Sequence, residues 1–375
     1  MSAGAILLAA GGTGGHMVPA DALAGELRRR GRAVALVTDA RGTRFPGLFE
    51  GVPVHVIPAA TAAGLDPVGW VRAGRAILAG RSAACGLLRA LGARAVVGFG
   101  GYPALPAMLA ARAERQAALL HEQNAVLGRV NRFLARRVSL LALSFEETAR
   151  VPAGVRTVVT GNPVRAEVLA ARERPFAAPA PDAPFRLLVV GGSQGARILS
   201  QVVPAGLALL PPAERARLAV VHQARPEDLS AADAAYRAAG IAAECLPYMV
   251  DLPARMAAAH LVVSRAGAST LAELTAMGRP AILVPFAAAT DDHQSANARA
   301  FAAARAGRVL AERDFTPAAL AGAVEGFLRS PESLVAAAAA ARALGRPDAV
   351  RLLADLVEAE AGLAPAAPPA AREAA

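Results

Sequence analysis

The sequence GGTGGH, from Gly11 to His16, is the first place where residue types and spacing point to chemistry. A glycine-rich turn lets the backbone approach an anionic or hydroxyl-rich ligand without a side-chain clash. The pattern predicts a helix over residues 19–30, whose N-terminal end favours an anion and keeps the imidazole of His16 neutral. A neutral histidine beside a ligand is a candidate general base. The alternative is a plain strand-to-helix turn with an incidental histidine.

A second glycine turn, GGSQGAR, occupies residues 191–197. Its amides and the hydroxyl of Ser193 are candidates for holding a phosphate, because a helix is predicted to start directly after the turn. The alternative is again a plain turn between a strand and a helix.

The segment RAGAST, residues 265–270, follows a buried strand and precedes a helix that carries Glu273. We interpret Ser269 or Thr270 as the N-cap, offering hydroxyl and backbone N–H groups to a diphosphate. Glu273, one turn further, is then a candidate acceptor for both hydroxyls of a ribose. The alternative is a capping box formed by Thr270 and Glu273, which needs no ligand.

The elements around these segments repeat. A buried strand, a glycine turn and a helix start both halves of the chain, at Ala5 and at Phe185, and strands alternate with helices after each start. This order is typical of doubly wound parallel sheets, whose ligands lie at the carboxyl ends of the strands. HEQN, residues 121–124, places polar side chains at such a strand end. The Pro- and Ala-rich segment 174–184 is interpreted as a linker.

The composition excludes several functions. The chain has 375 residues and 40 Lys plus Arg, all of them arginine, so phosphate-loop lysines, pyridoxal Schiff bases and kinase lysines are excluded. Its two cysteines, without a C-x-x-C pair, are expected to be reduced thiols. Asp291 and Asp292 are adjacent and lack the D-x-D spacing that presents carboxylates to a divalent metal, so we expect no metal. We also expect no cofactor. We expect no signal peptide and no membrane-spanning helix.

The formal net charge of +10 suggests an anionic partner. A helix predicted after Asn124 would carry Arg129, Arg132 and Arg136 within a sector of roughly 60°, beside an apolar stripe that includes Phe133. This pattern is typical of contact with an anionic membrane surface. A solvated helix face is the alternative, and the amphipathic stretch 68–88 is a weaker candidate because Arg81 interrupts its apolar stripe.

Seven motifs in this order and spacing resemble those of one enzyme family. They are GGTGGH, GFGGYP (98–103), HEQN, TGNPVR (160–165), GGSQGAR, RAGASTLAE (265–273) and DDHQ (291–294). Over about residues 5 to 345 the chain is similar to the MurG family of peptidoglycan N-acetylglucosaminyltransferases.

The resemblance implies the glycosyltransferase B fold, an α/β architecture of two Rossmann-like doubly wound parallel-sheet domains. The expected domains are residues 1–163, facing acceptor and membrane, and 164–360, binding the donor, with a last helix able to pack back on the first domain. Residues 361–375 are expected to form a disordered tail.

The implied reaction is inverting and independent of metal. N-acetylglucosamine (GlcNAc) would pass from UDP-GlcNAc to the C4 hydroxyl of undecaprenyl-diphospho-N-acetylmuramoyl-pentapeptide (lipid I), giving lipid II. The enzyme would lie peripherally on the inner, cytoplasmic face of the cell membrane.

The resemblance also implies roles for particular residues. The diphosphate region would be held by Ser193, Arg165, Ala268, Ser269 and Thr270. Glu273 would bind the ribose, Gln294 the GlcNAc, and the backbone of Met249 the uracil. Thr13, Gly14, Gly15 and Asn124 would complete the donor site and face the acceptor. The general base is left open among His16, Glu122 and Tyr102, with His16 preferred and Glu122 second.

Three other functions are alternatives to this one. A nicotinamide-dependent oxidoreductase fits the first glycine turn and Asp39, but it leaves the second half unexplained. A UDP-sugar epimerase would share the two-domain architecture. A non-catalytic nucleic-acid-binding protein has only the net charge in its favour, because the arginines are scattered with few interleaved aromatics.

Overall fold

The computed structural model describes residues 4–44, 47–60, 67–180, 182–192 and 195–364. The chain divides into two compact units, one with the residues up to Pro163 and from Asp348 onward, the other with Val164–Pro347. In the described residues no helix combines the length and the apolar character needed to cross a membrane.

The first unit is built on a parallel sheet with the strand order β3-β2-β1-β4-β5-β6-β7. Its strands are β1 (Ile6–Ala9), β2 (Val34–Thr38), β3 (Val54–Val56), β4 (Ala95–Gly98), β5 (Ala117–Glu122), β6 (Leu140–Leu143) and β7 (Thr157–Val159). Its helices up to residue 163 are α1 (Gly14–Arg29), α2 (Pro67–Ala90), α3 (Ala104–Ala113) and α4 (Arg129–Leu134), with 3-10 turns at Gly42–Arg44 and Ala135–Arg137.

The central strands read as continuous apolar runs because both faces of the sheet are covered. In β1, Ile6 and Leu8 pack on one face against α1, whereas Leu7 and Ala9 pack on the other against α2 and α3. This two-sided burial positions the carboxyl end of β1, where the first glycine turn begins.

The second unit contains a parallel sheet in the order β10-β9-β8-β11-β12-β13. Its strands are β8 (Phe185–Val190), β9 (Leu218–Gln223), β10 (Ala242–Leu246), β11 (Leu261–Ser264), β12 (Ala281–Leu283) and β13 (Gly307–Val309). Its helices are α5 (Ala166–Arg172), α6 (Arg197–Leu207), α7 (Pro212–Arg215), α8 (Leu229–Ala238), α9 (Leu252–Ala258), α10 (Ala268–Met277), α11 (His293–Ala303), α12 (Pro317–Leu328) and α13 (Pro331–Leu344), with 3-10 turns at Thr290–Asp292 and Glu312–Asp314.

The last helix, α14 (Ala349–Glu360), belongs to the first unit. Leu353 and Val357 are fully buried in the core cluster that also contains the apolar face of α1. The Glu358 carboxylate accepts from Arg30 at 2.7 Å and from Arg32 at 2.6 Å. Apolar packing and a nearly buried ion-pair network therefore hold α14 to the first sheet.

Three sequence interpretations need adjustment. Helix α1 begins at Gly14 and not at Pro19, which lies inside it; because proline has no N–H, it cannot donate to the carbonyl of Gly15. The segment 174–184 lies within the second unit, since the units divide between Pro163 and Val164. Of the tail predicted over 361–375, the residues beyond 364 lie outside the described residues.

Candidate functional site

The first glycine turn is shaped by contacts that exclude larger residues. Gly12 has φ +85°, a left-handed conformation that favours glycine. A Cβ on Gly11 would lie 2.8 Å from the Cβ of Pro103, in the loop after β4. The turns after β1 and β4 therefore pack directly against each other at the carboxyl edge of the sheet.

His16 is the third residue of α1 and thus lies at the start of a helix, as predicted, although this helix begins before Pro19. Its Nδ1 lies 3.1 Å from the carbonyl oxygen of Gly11 and 3.4 Å from Oγ1 of Thr13. A carbonyl can only accept, so Nδ1 carries the proton and Nε2 is the basic nitrogen of the neutral ring. A Cβ on Gly101 would lie 3.2 Å from Cε1 of His16, so the turn that carries Tyr102 runs beside this imidazole.

Glu122, the other candidate base, is a buried carboxylate with 2% of its surface exposed. Its Oε1 accepts from the backbone and side-chain N–H groups of Asn124 at 3.0 and 3.2 Å. Its Oε2 accepts from Gly128 N and Asn131 Nδ2, both at 2.9 Å. Four donors thus use both oxygens, and the carboxylate fixes the turn that carries Asn124.

His121 and Gln123, predicted as polar residues at a strand end, face the interior. The Nε2–H of His121 donates to Gly161 O at 3.0 Å, and Gln123 Nε2 lies 3.0 Å from His121 Nδ1. Burial lowers the pKa of His121 to about 4, so this ring stays neutral at physiological pH. Asn124, only partly buried, is the polar residue of this motif that the fold leaves nearest the surface.

In the second unit, the capping-box interpretation of Thr270 and Glu273 is wrong. The N-cap of α10 is Gly267, in an extended conformation and without a side-chain cap. Ala268, Ser269 and Thr270 form the first turn of the helix, so neither Ser269 nor Thr270 is the N-cap. The hydroxyl of Ser269 is buried without a hydrogen-bond partner in the described residues. The amides of this first turn have no acceptor within the helix.

Glu273 is held by Arg165, which lies 108 positions earlier in the chain. Nε and Nη2 of Arg165 lie 2.9 and 2.8 Å from Oε1 of Glu273, which is 4% exposed. Burial raises the pKa of Glu273, and Arg165 opposes this shift only in part. In the described residues no hydrogen bond is made to Oε2, so that oxygen remains an acceptor. Arg165, assigned by resemblance to the diphosphate, is thus also the partner of the ribose candidate.

Gln294 lies in the first turn of α11, and this helix begins directly after two residues in left-handed conformations, Asp291 and Asp292 with φ of 57° and 52°. Its Oε1 accepts from the backbone N–H of Phe286 at 3.0 Å. This bond directs the Nε2 donors of the carboxamide away from the loop after β12.

An ion pair that the sequence did not reveal braces the same loop. Arg265 donates to Glu312 at 3.0 Å and to the carbonyl oxygen of Val284 at 3.2 Å, and its guanidinium stacks 5.1 Å from the Phe286 ring centroid. Glu312 also accepts from Ala287 N at 2.8 Å. Burial raises the pKa of Glu312, but the Ala287 N–H and Arg265 outweigh it and leave this pKa lowered. No local signal pairs residues 47 positions apart.

The remaining donor candidates are only partly described. Ser193 lies outside the described residues. In the same turn, Gly192 has φ +85° and its carbonyl accepts from Gln223 at 3.1 Å. Met249 is 6% exposed and packs in the core with Met256, so its backbone is the part that remains for a ligand.

The predicted arginine stripe is only partly formed. Helix α4 ends at Leu134, so Arg136 lies in the following 3-10 turn and a projection at 100° per residue does not apply to it. Phe133 is 51% exposed. A surface depression is lined by Arg112, Arg132, Phe133, Arg136, Arg137 and Pro152, without Arg129.

Two parallel-sheet units, each with a glycine turn at the carboxyl end of its leading strand, define the class: a glycosyltransferase of the B fold. The model of the glycosyltransferase family 28 N-terminal domain matches residues 6–142, and that of the family 28 C-terminal domain matches 186–353. The chain therefore belongs to glycosyltransferase family 28.

Relatives named UDP-N-acetylglucosamine--N-acetylmuramyl-(pentapeptide) pyrophosphoryl-undecaprenol N-acetylglucosamine transferase support the same conclusion. The relative from Zymomonas mobilis is 54% identical and aligns over 96% of this chain and 93% of its own length. The relative from Mesorhizobium japonicum is 50% identical over 96% of both chains.

Solved structures agree. The crystal structure of MurG from Acinetobacter baumannii superposes with a TM-score of 0.73 at 30% identity, over 95% of this chain and 99% of that one. Spinosyn forosaminyltransferase SpnP, at 16% identity and a TM-score of 0.65 over 95% of this chain and 100% of that one, shares the fold. The resemblance to the MurG family and the expected fold class are confirmed, and the chain is a glycosyltransferase. The relatives and structures named here give no support to an oxidoreductase, an epimerase or a nucleic-acid-binding protein.

Proposed function

We propose that this chain transfers GlcNAc from UDP-GlcNAc to the C4 hydroxyl of lipid I, giving lipid II with inversion at the anomeric carbon. The observation that carries the proposal is the start of α10, where uncapped backbone amides and the unpartnered Ser269 hydroxyl precede Glu273 by one turn. An uncapped helix start suits a diphosphate, and a carboxylate one turn further suits a ribose. The relatives' names supply the sugar and the acceptor.

In the proposed donor site the second unit holds the nucleotide sugar. The α10 amides, Ser193 and the outer edge of Arg165 bind the diphosphate. Oε2 of Glu273 accepts a ribose hydroxyl while Arg165 keeps Oε1 in place. Gln294 donates from Nε2 to an oxygen of GlcNAc, and the backbone of Met249 meets the uracil. Thr13, Gly14, Gly15 and Asn124, which belong to the first unit, are also proposed to contact the substrates.

The proposed chemical step uses His16 as general base. Its Nε2 takes the proton of the C4 hydroxyl as that oxygen attacks the anomeric carbon and the bond to UDP breaks. The leaving diphosphate gains negative charge, which the α10 amides and Arg165 stabilise. These groups supply the positive charge that a metal would otherwise provide, so the step requires neither metal nor cofactor.

Glu122 has a different role in this proposal. Because four N–H groups occupy its two oxygens, it is a positioning residue for the turn that carries Asn124. Tyr102 follows Gly101, which runs beside His16, and it contacts the acceptor.

The proposal is tested with radiolabelled UDP-GlcNAc, with and without a lipid I analogue. Label entering the lipid fraction only when acceptor is present supports it. UDP release without acceptor would indicate an epimerase, and tight NADH binding without UDP binding would indicate an oxidoreductase. Either of these outcomes contradicts the proposal.

The proposed acceptor is a lipid, and we propose that the basic depression docks the enzyme peripherally on the anionic inner leaflet, on the cytoplasmic side. Arg112, Arg132, Arg136 and Arg137 surround the exposed Phe133, which combines charge with an apolar side chain. In this proposal the positive net charge favours binding to an anionic membrane surface and not to a nucleic acid.

The same assay tests this surface when the acceptor is presented in vesicles. With anionic vesicles, replacing both Arg136 and Arg137 by Gln is expected to weaken vesicle binding about thirtyfold, at about 1 kcal/mol per arginine near the surface. With zwitterionic vesicles, wild type and variant should behave alike. Equal binding of both proteins to anionic vesicles would contradict this docking surface.

A further inference from the structure

A basic cluster lies at the amino edge of the second sheet, opposite the glycine turns. Arg186 is near the start of β8, His260 directly precedes β11, and Arg279 lies two residues before β12. These three strands are neighbours in the order β8-β11-β12 and run parallel, so the three side chains start from one edge. Arg342, on α13, joins them: a Cβ on Gly278 would lie 2.8 Å from the Cβ of Arg342.

The charge of this cluster is not balanced by acids. Arg279 is 4% exposed, its Nε is buried without a partner among the described residues, and its guanidinium lies 5.3 Å from the ring centroid of Phe176. Arg186 and Arg342 are exposed, and among the residues that the structure describes their side chains donate only to carbonyl oxygens and to His260. Within the described ranges no carboxylate forms an ion pair with any of these three arginines. Burial, Arg342 and Arg186 lower the pKa of Arg279 to about 10, the direction expected for an uncompensated cation.

The hydrogen bonds of His260 show that a second polar group of the cluster, the Nε2–H of this ring, faces a donor and not an acceptor. The backbone N–H of Arg186 donates to Nδ1 of His260 at 3.0 Å, so the proton of the neutral ring is on Nε2. Nη2 of Arg186 lies 2.9 Å from that Nε2, and a guanidinium nitrogen can only donate. N–H donors of His260 and Arg186 therefore lie together beside the guanidinium of Arg279, whose Nε has no partner in the described residues. Burial and the two arginines lower the pKa of His260 to about 4, so the ring does not add a charge.

We propose that this cluster is a binding site for a phosphate-class oxyanion, separate from the donor site. Such an anion accepts from the Nε2–H of His260, from Arg186 and from Arg279, with Arg342 at its edge. It supplies the acceptor that the facing donors lack and balances a buried charge that is otherwise costly. The phosphate is either free in solution or part of a lipid headgroup. Arg186 and Arg342 are exposed and close enough to lower the pKa of Arg279, so they give the anion a path to the cluster.

The test is calorimetric titration of the full chain at constant ionic strength with saturating UDP, which keeps the proposed diphosphate site occupied. One arm uses inorganic phosphate and the other uses vesicles that contain phosphatidic acid. Arg279→Met keeps an apolar contact with Phe176 and removes the charge; we expect it to weaken binding by about tenfold or more. Arg342→Gln, an exposed position, is expected to weaken binding less. Arg313→Met, on a side chain that is 87% exposed, is the matched control and should bind as wild type does.

Phosphate also stabilises proteins non-specifically, so affinity and not melting temperature is compared. Binding in either arm that depends on Arg279 supports the site, and the arm in which it occurs identifies the source of the anion. Equal affinity of wild type and Arg279→Met, or no binding by wild type in both arms, overturns the proposal. Neither result depends on sugar transfer, so the proposed function stands or falls separately.

Discussion

His16 and Glu122 show how hydrogen bonds distinguish two residues that look alike as candidate bases. Nδ1 of His16 is tied to a backbone carbonyl, which assigns the basic lone pair to Nε2. Glu122 has both oxygens used by N–H donors from its own turn. A general base must accept a proton from the substrate, and the environment of His16 allows this. A positioning residue must keep its hydrogen bonds to the protein, and Glu122 has such an environment.

At the scale of this residue we predict that His16→Ala loses most transfer while keeping the affinity for UDP. Removing a general base lowers kcat by about 10²- to 10⁴-fold. UDP is bound mainly by the second unit in our proposal, so its Kd should change little. Labelled transfer and UDP titration measure the two effects, and His55→Ala on β3 serves as control. Transfer near the wild-type rate would remove His16 from the role of base.

At the scale of elements, the loop after β12 is held by one ion pair. Arg265 follows β11, Glu312 begins a 3-10 turn after β13, and both hold the backbone after β12. That backbone in turn orients Gln294 through Phe286 N–H. The sugar candidate is therefore positioned by side chains that need not touch the sugar.

We predict that Glu312→Gln weakens UDP-GlcNAc binding about fivefold and leaves UDP binding unchanged. Gln keeps an acceptor for Ala287 N–H but loses the charge that holds Arg265, a difference on the order of 1 kcal/mol. The comparison of the two Kd values separates positioning of Gln294 from general damage. Glu214→Gln, which breaks the surface pair with Arg329, is the control.

A double variant with Gln294→Ala sharpens this prediction. If Glu312 acts through Gln294, the second substitution adds little to the first. Fully additive effects, or an equal loss of UDP and UDP-GlcNAc affinity, would show that Glu312 acts elsewhere.

At the scale of the whole molecule, the chain leaves the second unit and returns to the first through α14. Arg30 and Glu358 are 7% and 3% exposed, so their pair is largely shielded from solvent. Burial raises the pKa of Glu358, but the hydrogen bonds from Arg32 and Arg30 outweigh it and leave this pKa lowered. The last helix is thus bound by charge as well as by its apolar face.

We predict that Glu358→Gln lowers the free energy of unfolding by about 2 kcal/mol at pH 7. It removes the carboxylate that Arg32 and Arg30 share, whereas Arg30 keeps its ion pairs with Glu26 and Asp355. Since the folded pKa is below the ordinary value of 4.5, the stabilisation is complete above that value and is lost as pH falls through the folded pKa. Denaturant unfolding of both proteins at pH 7 and in acid measures this. A difference that persists undiminished in acid would contradict the ion-pair explanation.

The sequence by itself determined the fold class and the family. Buried strands, glycine turns and helix periodicity are local patterns, and seven spaced motifs identify the enzyme family without any contact being known. It also placed polar residues at strand ends, where parallel sheets bind ligands. Helix starts were less well predicted: α1 begins five residues before Pro19, and α10 is capped by Gly267 and not by a hydroxyl residue.

Only the tertiary structure decided which of those polar residues are available for chemistry. Local spacing does not show that Glu122 is saturated by donors, or that Arg165 and Arg265 pair with acids 108 and 47 positions away. It also does not reveal an uncompensated arginine cluster at the opposite edge of the second sheet. Burial and pairing depend on side chains brought together from separate strands, and no pattern along one segment encodes that proximity.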